Sequence, residues 1–203
     1  IILLIISFPL KADNIFVEAE SFDCRGGWVL DNQSMGQMGS PYLLAHGLGV
    51  PVENASTVIR VENGGKYRVW VRTRDWVKQW DQTASPGRFE LLLNGKALEV
   101  TFGTERAEWH WQDGGTICLK TGENRVELRD LTGFDGRCDA IFFTSALEML
   151  PPDGKEELTV FRRNMLGLPE NPEDAGEFDL VVVGGGIAGC CTAVSYTHLR
   201  AHE

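Results

Sequence analysis

The sequence has little basic charge. Its 203 residues carry 19 Lys and Arg against 29 Asp and Glu, a formal net charge of −10, and they contain no basic run. Nucleic acids and anionic membranes are bound by clustered Lys and Arg, so neither partner is expected. Nor is there the ~20-residue apolar stretch that a bilayer-spanning helix needs. The five cysteines, Cys24, Cys118, Cys138, Cys190 and Cys191, show no zinc-site spacing. Free buried thiols, or a Cys24–Cys138 pair in an exported protein, stand as alternatives. Low-complexity tracts and repeats of solenoid period are lacking. No Ser/His/Asp nucleophile motif and no glycosidase carboxylate pair can be singled out, so no catalytic residue is named.

What remains is the composition of a globular protein, 43% hydrophobic and 24% charged with six tryptophans. Ile1 to Leu10 is almost wholly apolar and too short to span a bilayer. With Leu10-Lys11-Ala12 as a cleavage site, it reads as a partial signal peptide over residues 1–12 of an exported protein, whose basic n-region is missing. A buried first strand is the alternative.

From Asn14 to Ser145 the pattern is short strands separated by turn chemistry, which predicts a two-sheet antiparallel β-sandwich over residues 13–150. Ile15 to Glu20 and Thr57 to Glu62 alternate apolar and polar residues. In Lys66 to Asp75, Tyr67, Val69, Val71 and Thr73 fall on one face and Arg68, Trp70, Arg72 and Arg74 on the other. Asn94-Gly95 between Phe89–Leu93 and Ala97–Phe102 is a hairpin signal. Further strands are expected at Thr116–Lys120, Asn124–Asp130 and Cys138–Thr144. Pro151-Pro152 closes the module. Residues 151–177 are expected to be a linker with a short helix at Lys155 to Leu166, carrying Leu158, Phe161, Met165 and Leu166 on one stripe.

Three segments resemble the carbohydrate-binding-module-like (galactose-binding-like) jelly rolls. They are VEAE (Val17 to Glu20), GGKYRVWVR (Gly64 to Arg72) and CDAIFFT (Cys138 to Thr144). The segment GSPYLLAHGLG (Gly39 to Gly49) has no counterpart there, and His46 within it reads as a turn residue. The resemblance implies a structural calcium held by Glu18, Glu20 and Asp139, a set of hard oxygen ligands, with two glutamates on a solvent-facing strand face as the alternative. Trp76 and Trp80, in a polar segment beside Asp75 and Asp81, are candidates for stacking on a sugar ring. Trp109 and Trp111 alternate as in a strand and are expected to share a face. Packing within the sandwich, or against a neighbouring domain, is the alternative for all these rings.

The last feature is DLVVVGGGIAG, Asp179 to Gly189. A β-branched run, Val181 to Val183, precedes Gly184, Gly186 and Gly189 in G-x-G-x-x-G spacing, as at the first strand–turn–helix of a dinucleotide-binding unit. The three glycines permit the turn, the approach of a pyrophosphate and close packing of a helix. Residues 178–193 are therefore expected to form a truncated Rossmann βα unit. The spacing is common to NAD and FAD sites. The residues resemble the FAD-dependent oxidoreductases, which implies FAD held by Gly184, Gly186, Ile187, Ala188 and Gly189. The acidic residue that grips a ribose should lie ~20 residues beyond the glycines, but the sequence gives only 14 more. Residues 194–203, VSYTHLRAHE, resemble a translated sequencing adapter. The first expectation is thus an N-terminal piece of an exported FAD-dependent oxidoreductase acting on a small-molecule or carbohydrate substrate. The rest of its flavin domain, with the catalytic residues, is missing. Its rivals are a glycan-binding module attached to an enzyme, and a structural domain that packs on the flavin domain.

Overall fold

Ten strands form between Asn14 and Thr144 in the computed structural model, which describes residues 12–184 and 186–200. The expected export segment Ile1 to Leu10 lies outside the described residues, as do Gly185 and the last three residues. The strands are β1 (Asn14–Glu18), β2 (Val29–Asp31), β3 (Tyr42–His46), β4 (Ala55–Val61), β5 (Gly65–Thr73), β6 (Phe89–Leu93), β7 (Lys96–Phe102), β8 (His110–Leu119), β9 (Gly122–Asp130) and β10 (Phe134–Thr144). One sheet runs β2-β3-β10-β5-β8, with β1 also paired to β10, and the other runs β4-β9-β6-β7. Every pairing is antiparallel. The protein is therefore mainly β, a sandwich of two antiparallel sheets.

Strand periodicity explains the core. Tyr67, Val69 and Val71 of β5 face inward and meet Leu91, Val126, Leu128, Ile141 and Phe143. The β6–β7 hairpin turns through Asn94 and Gly95 with φ of 52° and 82°, as the Asn-Gly signal predicts. The unassigned Gly39–Gly49 segment supplies β3, which pairs with the first half of β10. His46 closes that strand rather than sitting in a turn. Cys24 and Cys138 are not joined by a disulfide, so the pair expected between them does not form.

The outer face of the first sheet is not left to water. Helix α2 (Lys155–Met165) lies on it, after a short helix α1 (Met35–Met38) earlier in the chain. Glu156 and Glu157 in the first turn of α2 and Arg162 and Arg163 in its last complement the helix dipole. Leu158 and Phe161 pack onto Trp70, Trp111, Ala140 and Phe142. The compact unit consequently runs on to Pro169, which corrects the linker expected from residue 151. The apolar stripe read in Lys155–Leu166 has its complement in the outward rings of β5, β8 and β10. Leu166, assigned to that stripe, is exposed.

The second unit, from Glu170 onward, contains helix α3 (Ile187–Arg200). Val181 to Val183 is not a strand and is exposed, contrary to the sequence reading. A parallel strand is held by neighbouring strands and covered on both faces, and the described residues of this unit offer neither. Of the expected Rossmann βα pair only a helix is present among the described residues, and it continues through Val194 into the tail read as foreign.

Candidate functional site

At the end of the first sheet where β3 and β5 finish and β10 begins, three loops meet. The turn after β9 is organised by Asp130, whose carboxylate accepts N–H groups from Val52, Thr132 and Gly133. The Gly133 carbonyl in turn accepts the N–H groups of Gly47 and Gly49. Gly133 has φ +70°, and a Cβ there would lie 2.2 Å from the Val50 carbonyl oxygen, so no larger residue fits this crossing.

The third loop carries the tryptophan pair. The Trp76 indole N–H donates to the Phe134 carbonyl at 3.3 Å, and the Arg137 guanidinium lies 5.4 Å from its ring centroid. Trp80 meets Trp76 edge-on, with centroids 6.1 Å apart and planes at 74°. The two residues named from the sequence therefore come together, with different roles. Trp76 is half-buried and anchored, whereas Trp80 is 72% exposed. That exposure sets it apart, because Trp28, Trp70, Trp109 and Trp111 are all buried. Trp109 and Trp111 do share the outer face of the first sheet, where Trp109 packs on Tyr42 and Trp111 on Phe142.

The loop beneath the pair is braced. Asp75 is fully buried and accepts the Val77 N–H, while its own N–H donates to the Arg106 carbonyl. Asp81 accepts from the Thr83 hydroxyl and the Thr83 and Ala84 N–H groups, which holds its carboxyl below the usual range and keeps it ionised. His46 Nδ1 lies 2.6 Å from Asp135 Oδ1 nearby. Leu48, Val50 and Phe134 are exposed on the adjoining loops. The surface thus combines a fixed aromatic face, apolar neighbours and a charged acceptor, the elements needed to stack a sugar ring and bond its hydroxyls. The sequence reading missed the part played by β3 and by the Asp130 turn. A cleft of about 660 Å³ lies elsewhere, between edge strands β7 and β8 beside Leu98, Val100 and Ile117.

The second cluster joins Glu18, Glu20 and Asp139, as expected, with ligand oxygens within 4.8 Å of one another. Glu18 ends β1 and Glu20 lies in the 3₁₀ turn Ala19–Ser21 that follows. Asp139 is the extra residue of a bulge in β10, since Cys138 pairs with Thr73 and Ala140 with Arg72. The sequence did not announce what lies among them, which is Arg162 of α2. Its Nε donates to Glu18 Oε1 at 3.2 Å, its Nη1 to Asp139 Oδ2 at 2.8 Å, and its Nη2 to Glu18 Oε2, to Ser40 Oγ and, at 3.3 Å, to Asp139 Oδ1. Arg72 Nε lies 3.2 Å from Asp139 Oδ2. Burial and the Glu18 charge push the Glu20 carboxyl up to about 8. Burial also presses the Asp139 carboxyl upward, against the pull of the two guanidinium groups. A calcium ion does not fit this arrangement, because the guanidinium fills the space between the carboxylates.

The glycine turn before α3 keeps one feature of its motif. Gly184 has φ +101°, and a Cβ on Gly189 would meet the Gly184 carbonyl oxygen at 2.1 Å. No helix among the described residues is long and apolar enough to cross a membrane.

No protein-family model matches the chain, and no curated protein matches it. Several solved structures that are or contain carbohydrate-binding modules are similar to it. The Podospora anserina GH26-CBM35 β-(1,4)-mannanase is 21% identical with a TM-score of 0.52, and the match covers 68% of this chain and 29% of that one. A family 35 carbohydrate-binding module from Clostridium thermocellum is 16% identical with a TM-score of 0.50, over 64% of this chain and 97% of the module. The C-terminal CBM6 of a marine laminarinase from Zobellia galactanivorans is 17% identical with a TM-score of 0.50, over 66% of this chain and all of that module. The chain thus spans under a third of the mannanase but nearly all of the isolated modules. At these identities the likeness is one of fold, a jelly roll of the carbohydrate-binding-module type.

Proposed function

We propose that the β-sandwich is a glycan-binding module whose contact surface is the loop end bearing Trp76 and Trp80. The observation that carries this is the exposed Trp80 ring, held edge-on against an anchored Trp76. An exposed indole is ordinarily free to move, and one fixed in advance loses less entropy when a ring stacks on it. Asp81 accepts from its own loop through Oδ1, which leaves Oδ2 to accept sugar hydroxyls. The jelly-roll neighbours, named as carbohydrate-binding modules, support the same reading, and export expected from Ile1 to Leu10 would place the module among extracellular or cell-surface glycans. Titration calorimetry of residues 12–169 against a glycan panel tests it. Binding that disappears in Trp80→Ala supports it. Silence across the panel at millimolar ligand overturns it in favour of a domain that uses Trp80, Leu48, Val50 and Phe134 to pack on a partner domain.

A second reading concerns the unit from Glu170, and the close approach of Gly189 to the Gly184 carbonyl favours it. We infer that Gly184, Gly186, Ile187, Ala188 and Gly189 make the pyrophosphate-binding turn of an FAD site. Bound flavin would supply hydride chemistry, while these residues would only hold its phosphates. The visible spectrum of the full gene product after reconstitution with FAD decides this, and the lack of a flavin band overturns it.

A further inference from the structure

We propose that Arg162 is the built-in cation of the Glu18–Glu20–Asp139 cluster, standing where a jelly roll with these carboxylates would hold a divalent ion, so that this module needs no metal there.

The geometry is that of a guanidinium site. Arg162 uses two edges of its planar fork. The Nε/Nη2 edge faces both oxygens of Glu18, and the Nη1/Nη2 edge faces both oxygens of Asp139. Paired N–H donors match a carboxylate in this way, whereas a spherical ion takes oxygens at any angle. Ser40 completes the arrangement, accepting from Nη2 at 2.5 Å and donating to Asp139 Oδ1 at 3.2 Å. Arg162 is only 6% exposed, so an entering ion would have to expel a buried charge together with the helix that carries it.

Charge leads to the same conclusion. Calcium takes about 6–8 oxygen ligands, and here two cations already face the carboxylates, Arg162 Nη1 and Arg72 Nε lying 2.8 and 3.2 Å from Asp139 Oδ2. Arg162 is paired with Glu18 and Asp139, and Arg72 with Asp139 and Asp153. The carboxylates that accept from the guanidinium are Glu18 and Asp139, and Glu20 stands beside them. Arg162 reaches the cluster only because α2 is docked, its side chain following Leu158 and Phe161 onto the sheet. The cation is therefore tethered, and its occupancy does not depend on the free metal concentration. The inference does not depend on whether the loop end takes a glycan.

The test is calcium titration of EDTA-dialysed protein by calorimetry, with thermal melts in EDTA and in calcium. Wild type is expected to show no binding heat and the same Tm in both. Arg162→Ala is expected to lower Tm in EDTA and to recover part of it in calcium, because the vacated carboxylates then resemble an oxygen site. Arg162→Lys, which keeps one charge and loses the fork, should fall between the two and ignore calcium. Wild-type protein that binds calcium and loses Tm in EDTA overturns the proposal, as does a folded Arg162→Ala protein indifferent to calcium. If Arg162→Ala does not fold, the wild-type titration decides alone.

Discussion

A chain ending at Pro152 keeps all ten strands and loses α2, and it is expected to fail as a folded domain. Leu158 and Phe161 are 2% and 9% exposed, and fully burying such a side chain contributes about 1.5–3 kcal/mol. Their loss returns Trp70, Trp111 and Phe142 to water. Arg162 goes too, leaving the fully buried Asp139 with Arg72 alone, and Arg72 loses Asp153, whose carboxylate lies 2.5 Å from its Nη1. Breaking a buried ion pair by removing one partner costs about 3–5 kcal/mol. These losses overlap, but together they rival the whole stability of a small domain, about 5–15 kcal/mol. Residues 12–169 should melt in one cooperative transition, and residues 12–152 should aggregate or melt without one. Phe161→Ala in the longer chain grades the effect, with an expected loss of about 3–5 kcal/mol read from the denaturant midpoint at unchanged slope. A cooperative melt of residues 12–152 within a few degrees of residues 12–169 would refute the reasoning. The helix would then be an ornament on a self-sufficient sandwich.

Trp80→Ala should abolish glycan binding and leave Tm unchanged, whereas Trp76→Ala should lower Tm as well, because its N–H bond to Phe134 and its contact with Arg137 hold the loops together. Gly133→Ala should destabilise by more than about 1 kcal/mol and weaken binding, since its Cβ would strike the Val50 carbonyl at a positive φ; an unaltered melting curve would show that the loop crossing yields freely. Stability should also depend on Glu20, whose folded carboxyl stands at about 8 against a usual 4.5. The unfolded chain releases that proton first, so the contribution is full below pH 4.5 and is lost as pH rises toward 8. The groups facing it are Glu18, Asp139 and Arg162. Denaturant midpoints across that window should fall in wild type and flatten in Glu20→Gln, and equal slopes would mean that the carboxyl ionises normally.

The strands were legible where one face meets the core and the other does not, as in β5, and where a turn has only one chemistry, as at Asn94-Gly95. β3 was not, because Tyr42, Leu43, Leu44 and Ala45 are all buried, inward residues in the sandwich and outward ones under α1 and Trp109. A strand covered on both faces has no alternation to read. Val181 to Val183 shows the converse. It has the composition of a buried strand, but strand pairing is a property of neighbours, and the unit holding it supplies none among its described residues. The tryptophan pair was visible as a polar segment with two rings, yet only the fold separates anchored Trp76 from exposed Trp80. Arg162 carried a signal that went unread. With Leu158, Phe161 and Met165 it completes the i, i+3, i+4, i+7 face of α2, so a guanidinium stands at a core-facing helical position. Burying that charge is tolerable only against carboxylates, and Glu18, Glu20 and Asp139 had already been singled out as acidic groups in want of a cation. Neither half identifies the other from the sequence, because the bulge that aims Asp139 at the helix is written in the pairing of β10 with β5 and not in the residues of either strand.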